Sequence, residues 1–166
     1  MTKNKINYSL LKKASDSKGV LYETVNGVNY IGIPAAVIYG MDDKEFEEAI
    51  GKTKATEYVG LAEAVHRIIP PMEDQYAVAY TKVCYNSNSL FHFFITEKGE
   101  VIKIDGRLLG IIKDADIDAI FGRGMKNPLI FNVGNKKAII LPVNYANCSS
   151  NEVKLIKSIQ SMSFGL

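Results

Sequence analysis

The stretch from Val101 to Tyr145 constrains the fold more than any other, because it holds three kinds of element in a fixed order. Residues 101–104 are a short β-branched run that reads as a strand. Leu108, Leu109, Ile112, Ala115, Ile117 and Ile120 recur at helical spacing, so a helix is expected over 108–121, stopped by Gly122 and Gly124. Gly110 costs ~1 kcal/mol against alanine inside a helix, which makes Ile112 the alternative start. Residues 129–133 and 137–143 then return as a hairpin over Gly134-Asn135.

The first half carries the same kinds of signal. A short helix is expected from Asn7, as its cap, to Ser15, followed by strands at 20–25 and 28–33 across Asn26-Gly27, the strongest two-residue hairpin signal in the chain. Pro34 is expected to mark a bulge or edge before the ladder resumes at Val37. Asp42 or Asp43 caps a helix that Gly51 ends, and residues 56–69 read as a second helix, with Tyr58, Leu61, Ala62 and Val65 on its apolar face. Pro70-Pro71 stops that helix and opens a linker-like stretch to Gln75. Strands follow at 76–85 and 90–96, and Asn147 or Ser149 caps a final helix over 152–161.

A chain of 166 residues with 47% apolar residues can bury a full core. One domain over 1–166 is expected, with a sub-boundary at 70–75 as the alternative. The class is α+β: a mostly antiparallel sheet with three to five helices packed on one side. No apolar run approaches the ~20 residues of a membrane-spanning helix. The charged N-terminal stretch has no apolar region after it, so no secretory leader is expected, and the expected compartment is the cytoplasm. There Cys84 and Cys148 stay free thiols.

Net charge is only +2, and arginine occurs only at Arg67, Arg107 and Arg123, which argues against sequence-specific DNA reading. Abundant Lys, Ile and Asn fit an AT-rich genome, such as that of a low-GC bacterium or its phage. Gly51-Lys52-Thr53 resembles the end of a phosphate loop, but Phe46 stands where that loop requires glycine. Asp114, Asp116 and Asp118 begin like a calcium loop, but Ala119 and Met125 occupy its glycine and glutamate positions. These acids are expected on a solvated helix face, where with Lys136 and Lys137 they make a candidate partner surface. Lys12, Lys13, Tyr80 and Lys82 are the candidates for nucleic acid, since tyrosines among lysines can stack unpaired bases; Lys3, Lys5 and Lys103 extend that set. Cys84 with His92 and nearby carboxylates could form a thiol nucleophile and base. No motif calls for a cofactor or metal.

The order of elements resembles one domain unit of the DNA sliding-clamp family. The pieces that carry it are INYSLLKKAS, VIKIDGRLLGIIKDADIDAIF and PLIFNVGNKKAIILPVNY, about two thirds of the chain. The helical segment 56–69 and the C-terminal helix depart from that pattern. The tail, with Gln160 four residues before Phe164, resembles the peptides by which replication proteins dock on clamps, although Ser163 stands at their apolar position. The resemblance implies a clamp-like fold and, for any ring, assembly of several copies. The expected function is that of a non-enzymatic binding protein of phage or mobile-element origin. It would act on a host replication or defence complex, with a protein partner ahead of nucleic acid and a homo-oligomer as a further expectation. A small cytosolic enzyme using His92 and Cys84, a hydrolase or nucleotide-modifying activity, is the alternative.

Overall fold

Two three-stranded meanders meet edge to edge at the centre of a computed structural model that describes residues 5–143 and 148–161. The first follows helix α1 (Ser9–Ala14) and consists of β1 (Leu21–Val25), β2 (Val28–Ile33) and β3 (Ala36–Tyr39). Helix α2 (Asp43–Thr53), strand β4 (Thr56–Glu57), helix α3 (Leu61–Ile68) and a 3-10 turn at Met72–Asp74 lead on to β5 (Tyr76–Asn86), β6 (Leu90–Thr96) and β7 (Val101–Asp105). The second meander follows helix α4 (Gly106–Leu109) and consists of β8 (Ala119–Gly122), β9 (Leu129–Val133) and β10 (Lys136–Ile140); helix α5 (Ser150–Gln160) comes last. Among the described residues the strands form one sheet, ordered β4-β1-β2-β3-β10-β9-β8-β5-β6-β7. Only β1 and β4 run parallel.

The two meanders share one pattern. Each has a short helix before it and a two-residue turn joining its last two strands, with Ile33 opposite Ala36 and Val133 opposite Lys136. Ile31 and Phe131, Ile33 and Val133, and Ile38 and Ala138 fall at matching positions and face the same core. Strands buried on both faces read as continuous apolar runs, which explains IGIPAAVI and LIF without polar alternation. At Gly32 the facing strand comes so close that a Cβ would stand 2.6 Å from the Cα of Val37 and closer still to the carbonyl oxygen of Ala36. Gly32→Ala should therefore cost about 1–3 kcal/mol of overpacking strain, read as a lower urea midpoint.

The α+β class and the mostly antiparallel sheet agree with expectation. The helices, however, occupy both faces. Leu11 of α1, Phe46 and Ala49 of α2 and Leu108 of α4 join the core behind Ile31 and Phe131. On the opposite face, Leu61, Ala62 and Val65 of α3 cover Tyr30, Val37, Ile130 and Ile139. Ile156 and Ile159 of α5 cover Phe93, Ile95 and Val101. The first of these cores runs from Ile6 to Ile140, across the linker-like stretch at 70–75.

Several boundaries shift for identifiable reasons. The helix expected over 108–121 shrinks to α4, because Ile120 and Phe121 pair with Phe131 and Ile130 as strand β8. The helix expected over 56–69 starts at Leu61, because Thr56 and Glu57 pair with Leu21 and Tyr22. Gly51 lies inside α2, which runs on to Thr53 and stops where Lys54 turns left-handed at φ 52°. Pro34 sits in the β2–β3 turn, not at a bulge; the sheet irregularity lies between Tyr80 and Cys84. Tyr8, not Asn7, precedes α1, and Ser149 caps α5 by accepting from the amide of Glu152 at 3.2 Å. Lys3, Tyr145, Asn147 and Phe164 lie outside the described residues.

Candidate functional site

The acidic and basic residues singled out in the sequence do not form one face. Asp118 and Lys137 approach each other around Asn132. The Asp118 amide donates to the Asn132 carbonyl at 2.8 Å, Lys137 Nζ donates to Asn132 Oδ1 at 2.9 Å, and Asp118 Oδ2 accepts from the Gly134 amide at 2.8 Å. Asp114 and Asp116 are exposed, but on an irregular connection and not on a helix. Lys136 is buried at 8% exposure, so it does not belong to an outer surface. Its ammonium lies 3.1 Å from both carboxylate oxygens of Glu45, which also accepts from Tyr8 Oη at 2.5 Å. Burial, then the Glu45 hydrogen bond, drives the Tyr8 phenol far above its ordinary range.

Lys12 and Lys13 are exposed in the last turn of α1, whereas Tyr80 and Lys82 stand on β5. Lys82 takes a left-handed φ of 61° within the irregularity of that strand. The same irregularity makes Cys84 the ladder partner of His92, and Tyr80, opposite Phe94, bonds His92 Nδ1 through Oη at 2.7 Å. Burial lowers the His92 imidazole below its usual value. Lys103 is buried against Glu152 and is not a surface lysine.

A different surface has the geometry of a binding site. Glu23, in the middle of β1, points its carboxylate at the start of α3, where Oε2 accepts from the Gly60 amide at 2.8 Å and Oε1 from Ala62 at 2.9 Å. These amides, Ala62 first, hold the carboxyl below its ordinary range. The chain reaches α3 through Tyr58-Val59-Gly60, with Gly60 at φ 105°. That left-handed turn is one glycine adopts without strain, and it lifts Val59 into solvent at 85% exposure and Tyr58 at 49%. Beside Val59 opens a cleft of about 510 Å³ with Val25, Val28 and Ala62 in its walls. Tyr30 lines it too, bonded through Oη to His66 Nε2 at 2.7 Å and stacked on Tyr39 with centroids 5.0 Å apart.

No protein-family model, curated protein or solved structure matches this chain. Function is therefore read from the site's own chemistry. Among the described residues, no three His, Cys, Asp or Glu side chains gather as metal ligands, and no helix is long and apolar enough to cross a membrane. Among the described residues nine large apolar side chains are exposed, and four of them, Tyr58, Val59, Ile68 and Met72, fall in the short segment around α3. Tyr58, expected on the apolar face of a helix over 56–69, is instead exposed before the helix begins. The local signal for this exposure is Val59-Gly60, an apolar residue before a glycine just where a helix would need a cap.

The attachment of α3 depends on pH with a definite sign. Because the folded Glu23 carboxyl sits below its ordinary value, its contribution is present above the unfolded value of about 4.3 and is lost as pH falls through the lower folded one. Acid should release the α3 amides early in hydrogen exchange, and Glu23→Gln should flatten that acid dependence.

Proposed function

We propose that this chain is a non-enzymatic binding protein whose α3 surface docks a protein partner. The observation that carries the reading is Val59, held in solvent by a fixed turn beside a cleft that Val25, Val28 and Ala62 line together with Glu23, Glu63 and His66. Clefts of this kind seat anchoring side chains, and a few residues around them dominate affinity. An origin in a phage or mobile element, and a partner in a host replication or defence complex, fit the Lys-, Ile- and Asn-rich composition. The clamp-like reading rests on the order of elements carried by INYSLLKKAS, VIKIDGRLLGIIKDADIDAIF and PLIFNVGNKKAIILPVNY, in which the expected second helix is only the short α4.

The test is capture from the native host on two baits, the wild-type chain and Val59→Asp. The exposed site leaves the fold of the variant intact, as circular dichroism will check. A partner held by the wild type should bind the variant about tenfold more weakly or worse. Equal retention on both baits removes the α3 surface from the account.

One observation favours a second reading, a thiol–imidazole activity: Cys84 stands opposite His92 on the β5–β6 ladder. It predicts that Cys84 reacts with iodoacetamide faster than Cys148 and that His92→Gln slows it. An unchanged Cys84 rate in that variant removes this reading.

A further inference from the structure

We propose that the cleft beside Val59 takes a cationic side chain, arginine before lysine, from the docking segment of the partner. The inference rests on the α3 surface being the docking face and names what enters it.

The side chains around the cleft decide between three kinds of anchor. Glu23 and Glu63 line it, and among the described residues no lysine or arginine does. A partner carboxylate would meet two like charges. A purely apolar side chain would cover the polar edge of the cleft at Glu63 without supplying it a donor, which is costly. An arginine satisfies both demands. Its methylene stem lies along Val25, Val28 and Ala62, and its guanidinium reaches the carboxylates.

Both carboxylates can take a new donor. Glu23 is only 8% exposed and each of its oxygens already accepts an amide, so it offers an incoming donor the second lone pair that each oxygen keeps. A planar guanidinium can serve both oxygens at once, which favours arginine over lysine. Glu63 is paired with Arg67 at 2.7 Å, but both side chains are largely exposed, and such surface pairs hold weakly. An incoming cation can displace Arg67.

The experiment titrates the isotope-labelled full chain with acetyl-Gly-Arg-Gly-amide and follows its amide resonances. Matched peptides carry lysine, citrulline or norleucine in place of arginine. Saturable shifts are expected at Gly60, Ala62, Glu63 and Val28, strongest for arginine, weaker for lysine and weakest for the two uncharged peptides. Glu63→Gln should weaken the arginine peptide roughly three- to fivefold. Equal or tighter binding of norleucine overturns the proposal in favour of an apolar anchor, and no saturable shift with any peptide overturns it outright. A mass that rises with concentration and falls back in Val59→Asp identifies a second copy as the occupant and also overturns it. If Val59→Asp still loses a host partner while Glu63→Gln binds that partner undiminished, the docking surface stands and the cationic anchor falls.

Discussion

Phe131→Ala should lower the unfolding free energy by about 3–5 kcal/mol, because the ring is wholly buried where several elements meet. Phe131 lies in β9 between Ile120 of β8 and Ala138 of β10. Its ring meets Phe94 of β6 edge-on, with centroids 5.7 Å apart at 80°. The contact therefore ties the second meander to the β5–β6 hairpin. Neither flanking strand can move inward to fill the space without breaking its ladder, so the cavity should persist and the loss should fall in the upper part of that range. Urea titration should show a lower midpoint with an unchanged slope, since the unfolded chain exposes nearly the same surface. A loss below about 1 kcal/mol would mean that this core collapses freely, contrary to the packing described.

Glu152→Ala should cost about as much, roughly 3–5 kcal/mol, for a different reason. Lys103 on β7 and Glu152 on α5 form an ion pair with side chains at 6% and 5% exposure. The Lys103 ammonium also lies 4.2 Å above the Phe91 ring and 4.0 Å from Cys148 Sγ. Removing Glu152 leaves a buried ammonium without a counter-charge. Helix α5 should then loosen from Phe93 and Val101, and Cys148 should react faster with a disulfide reagent. Burial is the main cause that pushes the Cys148 thiol above its usual value, so exposure should make it more reactive. The paired replacement Lys103→Met with Glu152→Leu removes both charges together and should recover most of the loss. If Glu152→Ala alone is neutral, the pair does not hold α5.

Strands were the most legible part of this chain, and the connections were the least. Asn26-Gly27 and Gly134-Asn135 announced their hairpins because two-residue turns demand left-handed backbone that few residues accept. The 108–121 segment misled because its apolar residues fit a helical spacing. Yet Asp114, Asp116 and Asp118 alternate with Ala115 and Ile117, a strand period, and Gly110 weakens a helix there. In the helix expected over 56–69, Gly60 is the one local sign of the later start, and the cap that fixes that start comes from Glu23, far away in sequence. Long-range caps of this kind leave no periodic trace.

The same limit hid the site. Lys136 looked like a surface lysine, and only the fold brings Glu45 and Tyr8 around it. The cleft joins Val25 and Val28 of the first hairpin to Val59 and Ala62 near α3, residues that no motif connects. Tyr80 and His92 were visible as aromatic and polar residues on neighbouring strands. The irregularity in β5, which nothing in the local sequence required, sets Cys84 opposite His92.

Photo-crosslinking in the native host tests the docking surface most directly. A benzoylphenylalanine placed singly at Val59 or Ile68, and at Leu90 or Ile117 as controls, reports which exposed apolar position touches the partner. One protein should be crosslinked from positions 59 and 68 and absent from 90 and 117. The same partner crosslinked only from the control positions would contradict it.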